Sequence, residues 1–529
     1  MNTRKRLSAM QQSLAVNHRR VLNANGDAGP ENRSRLGGSR HTELIHAELD
    51  NPACVIGAGQ RCEHALVDAE LNRRLATYEA TVRGRFTRIV DTLKAISAEQ
   101  HELDFVARAQ RMAQDRLGFE LPADLLGEAW VSGLNLRALH SYCIFRSFKT
   151  CIDQVDADQA PWRERMVLDA AFIASCGYHT LDVSPCADGR LQGLLPFVFR
   201  LAPNENVFVK AYAGAMFDIE SDMGDWSARE LERLTGAIPN GESLNYLKLA
   251  VYHFSSSHAC SQGCAAHGSN DKLALESALA RLNELRSAIE NTHGIGAAPE
   301  ILLIGLDTDL DALRIHLPDA KGDINAYRYL DTGALYKDTL GMSRESARAC
   351  LAATVGKTES AGGWAEGEGP MTDGMCRLVM ALAEANLSQI EYVIQHHAGR
   401  YEVLGHDEEF ICAGEAMSEL QLRNQFYFAH LDTVEEGAAD MDVGIKIFSG
   451  LNIKHGLAVP VLVHFYYSSR VPGSRERAVL RAKRVKAATL ARYPALAAQG
   501  LINCQMAVSD RHGPERCGFV EDNVADAGH

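Results

Sequence analysis

Thr180-Leu181-Asp182-Val183-Ser184-Pro185-Cys186-Ala187-Asp188-Gly189-Arg190 decides how the rest of the chain is read. A strand-like run stops at a proline and then offers a thiol, a carboxylate and a guanidinium in quick succession. A second strand-like run, Leu247 to Phe254, ends in another metal-capable side chain, His253. The loop behind it, Ser255 to Gly268, is rich in sulfur, imidazole and glycine. In open α/β sheets, ligands gather at the carboxyl ends of strands. Two strand ends and one loop therefore converge at a common point. Cys186, His253 and Cys264 would close three sides of a tetrahedral zinc, and the fourth side would stay open for water. A local rival is a compact structural knot of His258, Cys260, Cys264 and His267, which would not need Cys186.

Cys186-x-Asp188-x-Arg190, then a strand-end histidine, then a cysteine, resembles the zinc signature of β-type carbonic anhydrases. Those usually carry the histidine and second cysteine only three residues apart, whereas a longer insert separates His253 from Cys264 here. That insert, the added flanking regions and the words CADGRLQGL, VYHFSSS and GCAAHGS resemble the carboxysomal shell subclass, once called ε, from about residue 50 to about 510. The resemblance implies a multi-domain α + α/β chain: a helical N-terminal domain, a β-carbonic-anhydrase-like α/β catalytic domain, and a degenerate second domain of the same kind. It also implies a carboxysomal enzyme on the inner side of the shell, hydrating CO2 reversibly to bicarbonate for Rubisco with one Zn2+ per chain. Its partners would be Rubisco or shell proteins, and it would be a homodimer or larger.

Composition sets the outer bounds. The 529 residues allow three or four domains, and 46% apolar with 23% charged residues is ordinary for a globular chain. The formal charge of −14 argues against non-specific nucleic-acid binding by the folded body. No apolar run approaches the ~20 residues that span a bilayer, and no apolar stretch follows the charged start Met1 to Arg6, so neither a membrane nor a secretory signal is expected. Thirteen cysteines are too dilute for a disulfide scaffold.

Residues 1–50 read as a disordered basic segment, with eight Lys/Arg against two acids through residue 40. Residues 51–157 read as helical: Leu71, Leu75, Tyr78, Val82, Phe86, Ile89, Leu93 and Ile96 form one stripe at helical period, with Arg73, Arg74, Arg83, Arg85 and Arg88 expected on solvated faces. A second helix is expected at about 103–117. Asp158 to Pro161 marks a boundary to an α/β catalytic domain at 158–405. Expected there are a helix from Arg163 to Cys176, strands at Tyr178–Ser184, at Val207–Ala215 (or a ligand-facing segment), at Leu247–Phe254 and at Ile301–Leu306, and helices after Asn270 and over 373–395. Strands alternating with helices imply a largely parallel sheet. Residues 406–512 restart the α/β pattern and 513–529 form a tail. Val459 to Ser469 faintly echoes Leu249 to Ser257, but Cys412 is followed by neither Asp nor Arg at the offsets seen after Cys186, so this half cannot build the same zinc site.

Two thiolates and a neutral imidazole suit zinc, which lowers the pKa of bound water so that a hydroxide can attack CO2. Asp188 is best placed to accept the hydroxide proton as a hydrogen bond, and Arg190 to hold Asp188 ionised. The plain reading of Asp188-Gly189-Arg190 is a turn with a surface ion pair. His397 and His406 are candidates by type for exporting the proton. A Cys260–Cys264 disulfide would take a ligand from zinc under oxidation. Two other functions compete: a catalytically silent scaffold with structural zinc, and another zinc hydrolase, ranked last because no HExxH pattern occurs. Two outcomes are expected. Deleting residues 1–50 abolishes co-sedimentation with Rubisco and spares CO2 hydration. Because two thiolates formally cancel the dication's charge, the water pKa lies above the ~7 usual for carbonic anhydrase. Measured kcat should therefore rise into the alkaline range, and a kcat already flat at pH 6.5 would contradict this.

Overall fold

The computed structural model describes residues 64–521, apart from 158–165, 167, 203, 205, 239–243, 260, 362, 364–367, 402–404, 416–421, 432–436 and 514. The basic segment 1–50, the boundary Asp158–Pro161, Cys260 and the last residues of the tail lie outside the described residues.

The apolar stripe of the first helix does what its spacing requires. Leu71, Leu75, Val82, Phe86, Ile89, Leu93 and Ile96 are all buried along α1 (Ala69–Ala98), and Asp68 caps it by accepting the Leu71 N–H. It packs with α2 (Phe105–Leu117) and α3 (Leu136–Ala157). Arg83 departs from the expected solvated face. Its Nε donates to Glu79 at 2.7 Å and its Nη2 to the Arg423 carbonyl at 2.6 Å, because the buried Glu79 carboxylate needs a cation beside it.

The first sheet contains β1 (Tyr178–Pro185), β2 (Val207–Val209), β3 (Asn245–Phe254), β4 (Glu300–Asp307), β5 (Leu313–Pro318) and β6 (Ile324–Asp331), in the order β2-β1-β3-β4-β5-β6. The first four are parallel, and β5 and β6 run antiparallel at one edge. That edge escaped the sequence reading because β6 is half-exposed and carries no apolar run. The helices α4 (Ile219–Leu234), α5 (Asp271–His293), α6 (Thr332–Thr339), α7 (Arg344–Glu359) and α8 (Asp373–His396) complete this unit. Asn270 caps α5 by accepting the Leu273 N–H; the spacing of the sequence predicts a shared face of Leu275, Leu279, Leu282, Arg286 and Ile289, but the buried face runs through Ala274, Ala278, Arg281, Leu282, Leu285 and Ile289, one step round. Of the helix expected from Arg163 to Cys176, residues 163–165 and 167 lie outside the described residues; a helix runs Ala170–Ser175 with Asp169 as its cap, and Leu168 before it is held in a bridge to Leu201. The strand expected to reach Ala215 stops at Val209, and a tight turn follows in which Gly214 has φ +70°. Lys248 interrupts the apolar run of β3, yet it is fully buried. It meets Asp182 at 2.9 Å, Ser184 Oγ at 2.8 Å and also Asp222 of α4.

The second sheet has β7 (Phe410–Gly414), β8 (Phe426–His430), β9 (Val459–Tyr467), β10 (Ile502–Asp510) and β11 (Gly518–Val520) in the order β8-β7-β9-β10-β11. Only β11 is antiparallel. Strand for strand this repeats β2-β1-β3-β4-β5. Its side chains alternate faces as a sheet demands. Phe410, Cys412, Phe426, Phe428 and Leu462 face the helices α1–α3, whereas Ile411, Ala413, Tyr427, Val461 and Val463 face α9 (Ala438–Leu451) and α10 (Ser474–Arg492). The architecture is thus a helical region followed by two α/β sheet units. No helix among the described residues is long and apolar enough to cross a membrane.

Glu79 ties α1 to the end of α8: Tyr392 OH donates to it and His397 Nε2 lies 3.2 Å away. Burial works to raise its pKa, but the hydrogen bond with His397 and the Arg83 charge outweigh this and bring it down to about 2. Its folded pKa is depressed, so its contribution is present above the unfolded value near 4.5 and is lost as pH falls toward 2. Glu79→Gln should cost about 3 kcal/mol in urea unfolding at pH 7, and the gap from wild type should narrow over that acid window.

Candidate metal centre

Parallel pairing of β1 with β3 sets Pro185 beside Val251, and the Cys186 N–H donates to the Val251 carbonyl at 3.2 Å. Cys186 therefore leaves the sheet next to the end of β3, where His253 stands. The long loop returns Cys264 to the same point, just before α5. The two sulfurs lie 3.8 Å apart, and one ligand atom from each of Cys186, His253 and Cys264 lies within 4.8 Å of the others. All three side chains are buried.

A zinc ion fits this donor set on two grounds. Tetrahedral arms of the usual zinc–sulfur length place two thiolates roughly 3.8 Å apart, the separation found. Both ring nitrogens of His253 are buried without a hydrogen-bond partner, an arrangement that costs free energy unless something else binds one of them. The contact with Cys264, and then burial, push the Cys186 thiol well up, while the hydrogen bond with Cys186 holds Cys264 lower. The Gly214 N–H also points at Cys186 Sγ, at 3.2 Å. A Cβ at Gly214 would sit 2.5 Å from His267 Nε2, and its φ of +70° favours glycine.

Asp188 and Arg190 form a bidentate pair rather than a surface turn. Arg190 Nε donates to Oδ1 at 2.9 Å and Nη2 to Oδ2 at 2.7 Å, with both side chains buried. Arg190 Nη1 also donates to the Gln262 carbonyl at 2.6 Å, which ties the pair to the loop that carries Cys264. Burial would raise the Asp188 pKa, but Arg190, His406 and His253 together hold it well below the carboxylate range. Asp188 Oδ2 lies 3.5 Å from His253 Nε2, so the carboxylate overlooks the three metal-capable groups.

Of the rival knot, Cys260 lies outside the described residues, and among the described ones neither His258 nor His267 joins Cys264 in a metal-capable group. His258 Nδ1 meets Arg400 Nη2 at 2.8 Å, and His267 Nε2 lies 3.2 Å from the Gly214 carbonyl oxygen. The two histidines named for proton export part company. His397 sits at the α1–α8 junction with Glu79, whereas His406 lies with Nε2 3.9 Å from Asp188 Oδ2 and Nδ1 2.9 Å from Glu408. Burial opposes protonation of His406, but the charges of Glu408 and Asp188 raise its pKa. Glu408 and the Gln262 carbonyl carried no signal in the sequence, because only the fold brings them here; Gly214 lies in the Val207–Ala215 stretch offered as a strand or a ligand-facing segment.

In the second sheet Gly414 pairs with His464 as Pro185 pairs with Val251. The place of Cys186 is therefore taken by Glu415, not by Cys412 as the sequence suggested. With Ser468-Ser469 matched to Ser255-Ser256, Tyr466 stands for His253. Glu415 is paired with Arg481 at 3.0 Å and accepts the Tyr466 N–H at 2.8 Å. An ion pair fills this position in place of a thiolate.

A doubled α/β sheet with two thiols and an imidazole converging at the strand ends of one copy defines a metalloenzyme of the β-carbonic-anhydrase kind. The family models of the carboxysome shell carbonic anhydrase match along the chain: the N-terminal domain over residues 64–156, the catalytic domain over 168–406 and the C-terminal domain over 407–524. The carboxysome shell carbonic anhydrase of Halothiobacillus neapolitanus is 43% identical over 462 residues, covering 87% of this chain and 90% of its own. That of Prochlorococcus marinus strain MIT 9313 is 43% identical over 456 residues, 85% and 87% of the two chains, and that of Hydrogenovibrio crunogenus 38% identical over 447, 83% of each. The chain belongs to the carboxysome shell carbonic anhydrase family. It is a carbonic anhydrase, and a metal, generally zinc, is the property of that family.

Proposed function

We propose that this chain is a carboxysomal carbonic anhydrase that interconverts CO2 and bicarbonate at one zinc held by Cys186, His253 and Cys264. The convergence of those three donors, with a sulfur separation of 3.8 Å, carries the reading. When bound, zinc supplies a Lewis acid that makes water a usable nucleophile near neutral pH. Asp188 and Arg190 are the catalytic pair. Asp188 remains ionised beside Arg190, accepts a hydrogen bond from the attacking water and so aims its lone pair at CO2. Arg190, anchored to the Gln262 carbonyl, prevents the carboxylate from turning away. Cys186, His253 and Cys264 are themselves buried, which keeps bulk water from the donors. The work is done on the inner side of the carboxysome shell, in a homodimer that supplies CO2 to Rubisco; the family's name supports the carboxysome, and the resemblance implies the rest.

The test measures zinc content and CO2 hydration together on wild type and Cys186→Ser. Wild type should hold about one zinc per chain and hydrate CO2, and the variant should lose both by a large factor, since one of only three protein ligands is removed. Zinc retained in the variant, or a wild type that binds zinc without hydrating CO2, would point instead to a silent scaffold with structural metal.

A further inference from the structure

The turn that bears the catalytic pair is gripped from outside its own sheet. The Gly189 N–H donates to Glu408 Oε1 at 3.1 Å, and the Gly189 carbonyl accepts the Asn424 N–H at 2.7 Å. One residue pair away, the Ala187 carbonyl accepts the Phe428 N–H of β8 at 3.1 Å. Glu408 precedes β7, and Asn424 lies just before β8, so all three grips come from the second sheet's unit. Asn424 has φ +54°, an unfavourable backbone for most residues, and its side chain donates to the Gly405 carbonyl at 3.1 Å.

Glu408 is the least expected of these. Its carboxylate side chain is fully buried, Oε1 is shared between the Gly189 N–H and His406 Nδ1, and Oε2 has no partner. Its side-chain partner is His406 rather than an arginine. A buried carboxylate with an orphaned oxygen is costly, and stability alone would be served better by an apolar side chain. The fit is also tight. A Cβ on Gly189 would lie 2.5 Å from Glu408 Cγ and 2.8 Å from Oε1, so glycine is needed at 189 because Glu408 is there.

We infer that Glu408 is a positioning residue for CO2 hydration: by holding the Gly189 N–H and the His406 ring, it sets where Asp188 points, and through it the second sheet's unit orients the catalytic pair of the first. This rests on the proposed role of Asp188 at the Cys186, His253 and Cys264 centre. Glu408 touches none of the three proposed zinc ligands, so its loss should misdirect Asp188 without releasing metal.

The experiment combines Glu408→Ala, Glu408→Gln, Gly189→Ala and the double variant Gly189→Ala/Glu408→Ala in the full chain, read by zinc content, kcat and KM. Glu408→Ala should keep wild-type zinc and lose kcat by 10-fold or more with KM within about 2-fold, the mark of lost orientation. Glu408→Gln keeps an acceptor for both N–H groups and should recover most of kcat, which a general loss of packing would not predict. Gly189→Ala should be as poor as Glu408→Ala, and the double variant no worse than either single, because the clash and its partner vanish together. Wild-type kcat in Glu408→Ala, a glutamine variant as poor as alanine, loss of zinc, or effects that multiply in the double variant would each overturn the inference. Failure of the underlying reading would show separately, as zinc or hydratase activity surviving in Cys186→Ser.

Discussion

A buried ion pair sets the register on which the centre depends. Asp182 and Lys248 are direct partners across β1 and β3, 2.9 Å apart and wholly removed from water, with Ser184 and Asp222 completing the shell of the ammonium. A slip of one residue between these strands would turn both side chains to opposite faces and strand two charges in the core, at a cost of several kcal/mol. Apolar partners tolerate such slips far better. With the register fixed, Pro185 ends beside Val251, and Cys186 and His253 emerge together.

That dependence explains which parts of the site could be read from sequence. Cys186 and His253 were legible because strand ends are predictable places and few residue types ligate zinc. Cys264 was legible only as a choice among neighbours; the fold separates it from His258 and His267 by giving those two other partners. Asp188 and Arg190 were legible as types, but their two alternatives, surface turn or buried fork, differ in burial, which spacing does not encode. Glu408 was invisible. It lies 219 residues beyond the turn that it holds, in a stretch whose local pattern speaks of nothing but an approaching strand.

The fold shows the same division. The helical stripe from Leu71 to Ile96 and the buried strands β1, β3 and β4 were clear because burial on one face, or on both, leaves a period or an unbroken run. The antiparallel edge β5–β6 was missed because an edge strand may be half polar. The short β2 was overextended because Gly214 reads as permissive backbone, while in the structure it turns the chain so that its N–H meets a sulfur. The internal duplication was faint because exchangeable apolar residues build both sheets, and only strand order and direction preserve it.

The place where Glu415 and Arg481 stand in for the first sheet's thiol has a consequence for how this chain can change over time. A symmetric pair of sheets must conserve two centres and a shared seam. Here one sheet carries the proposed donors and the other supplies the seam, so substitutions weigh on different parts of two units with the same strand order. On the inference drawn above, Glu408, Asn424 and Phe428 of the second unit answer to catalysis although they are none of the proposed metal ligands, while its own strand end holds the Glu415–Arg481 ion pair. Substitutions should therefore be best tolerated at the second sheet's strand end, where Glu415 and Tyr466 stand, and least at the edge that leans on its neighbour.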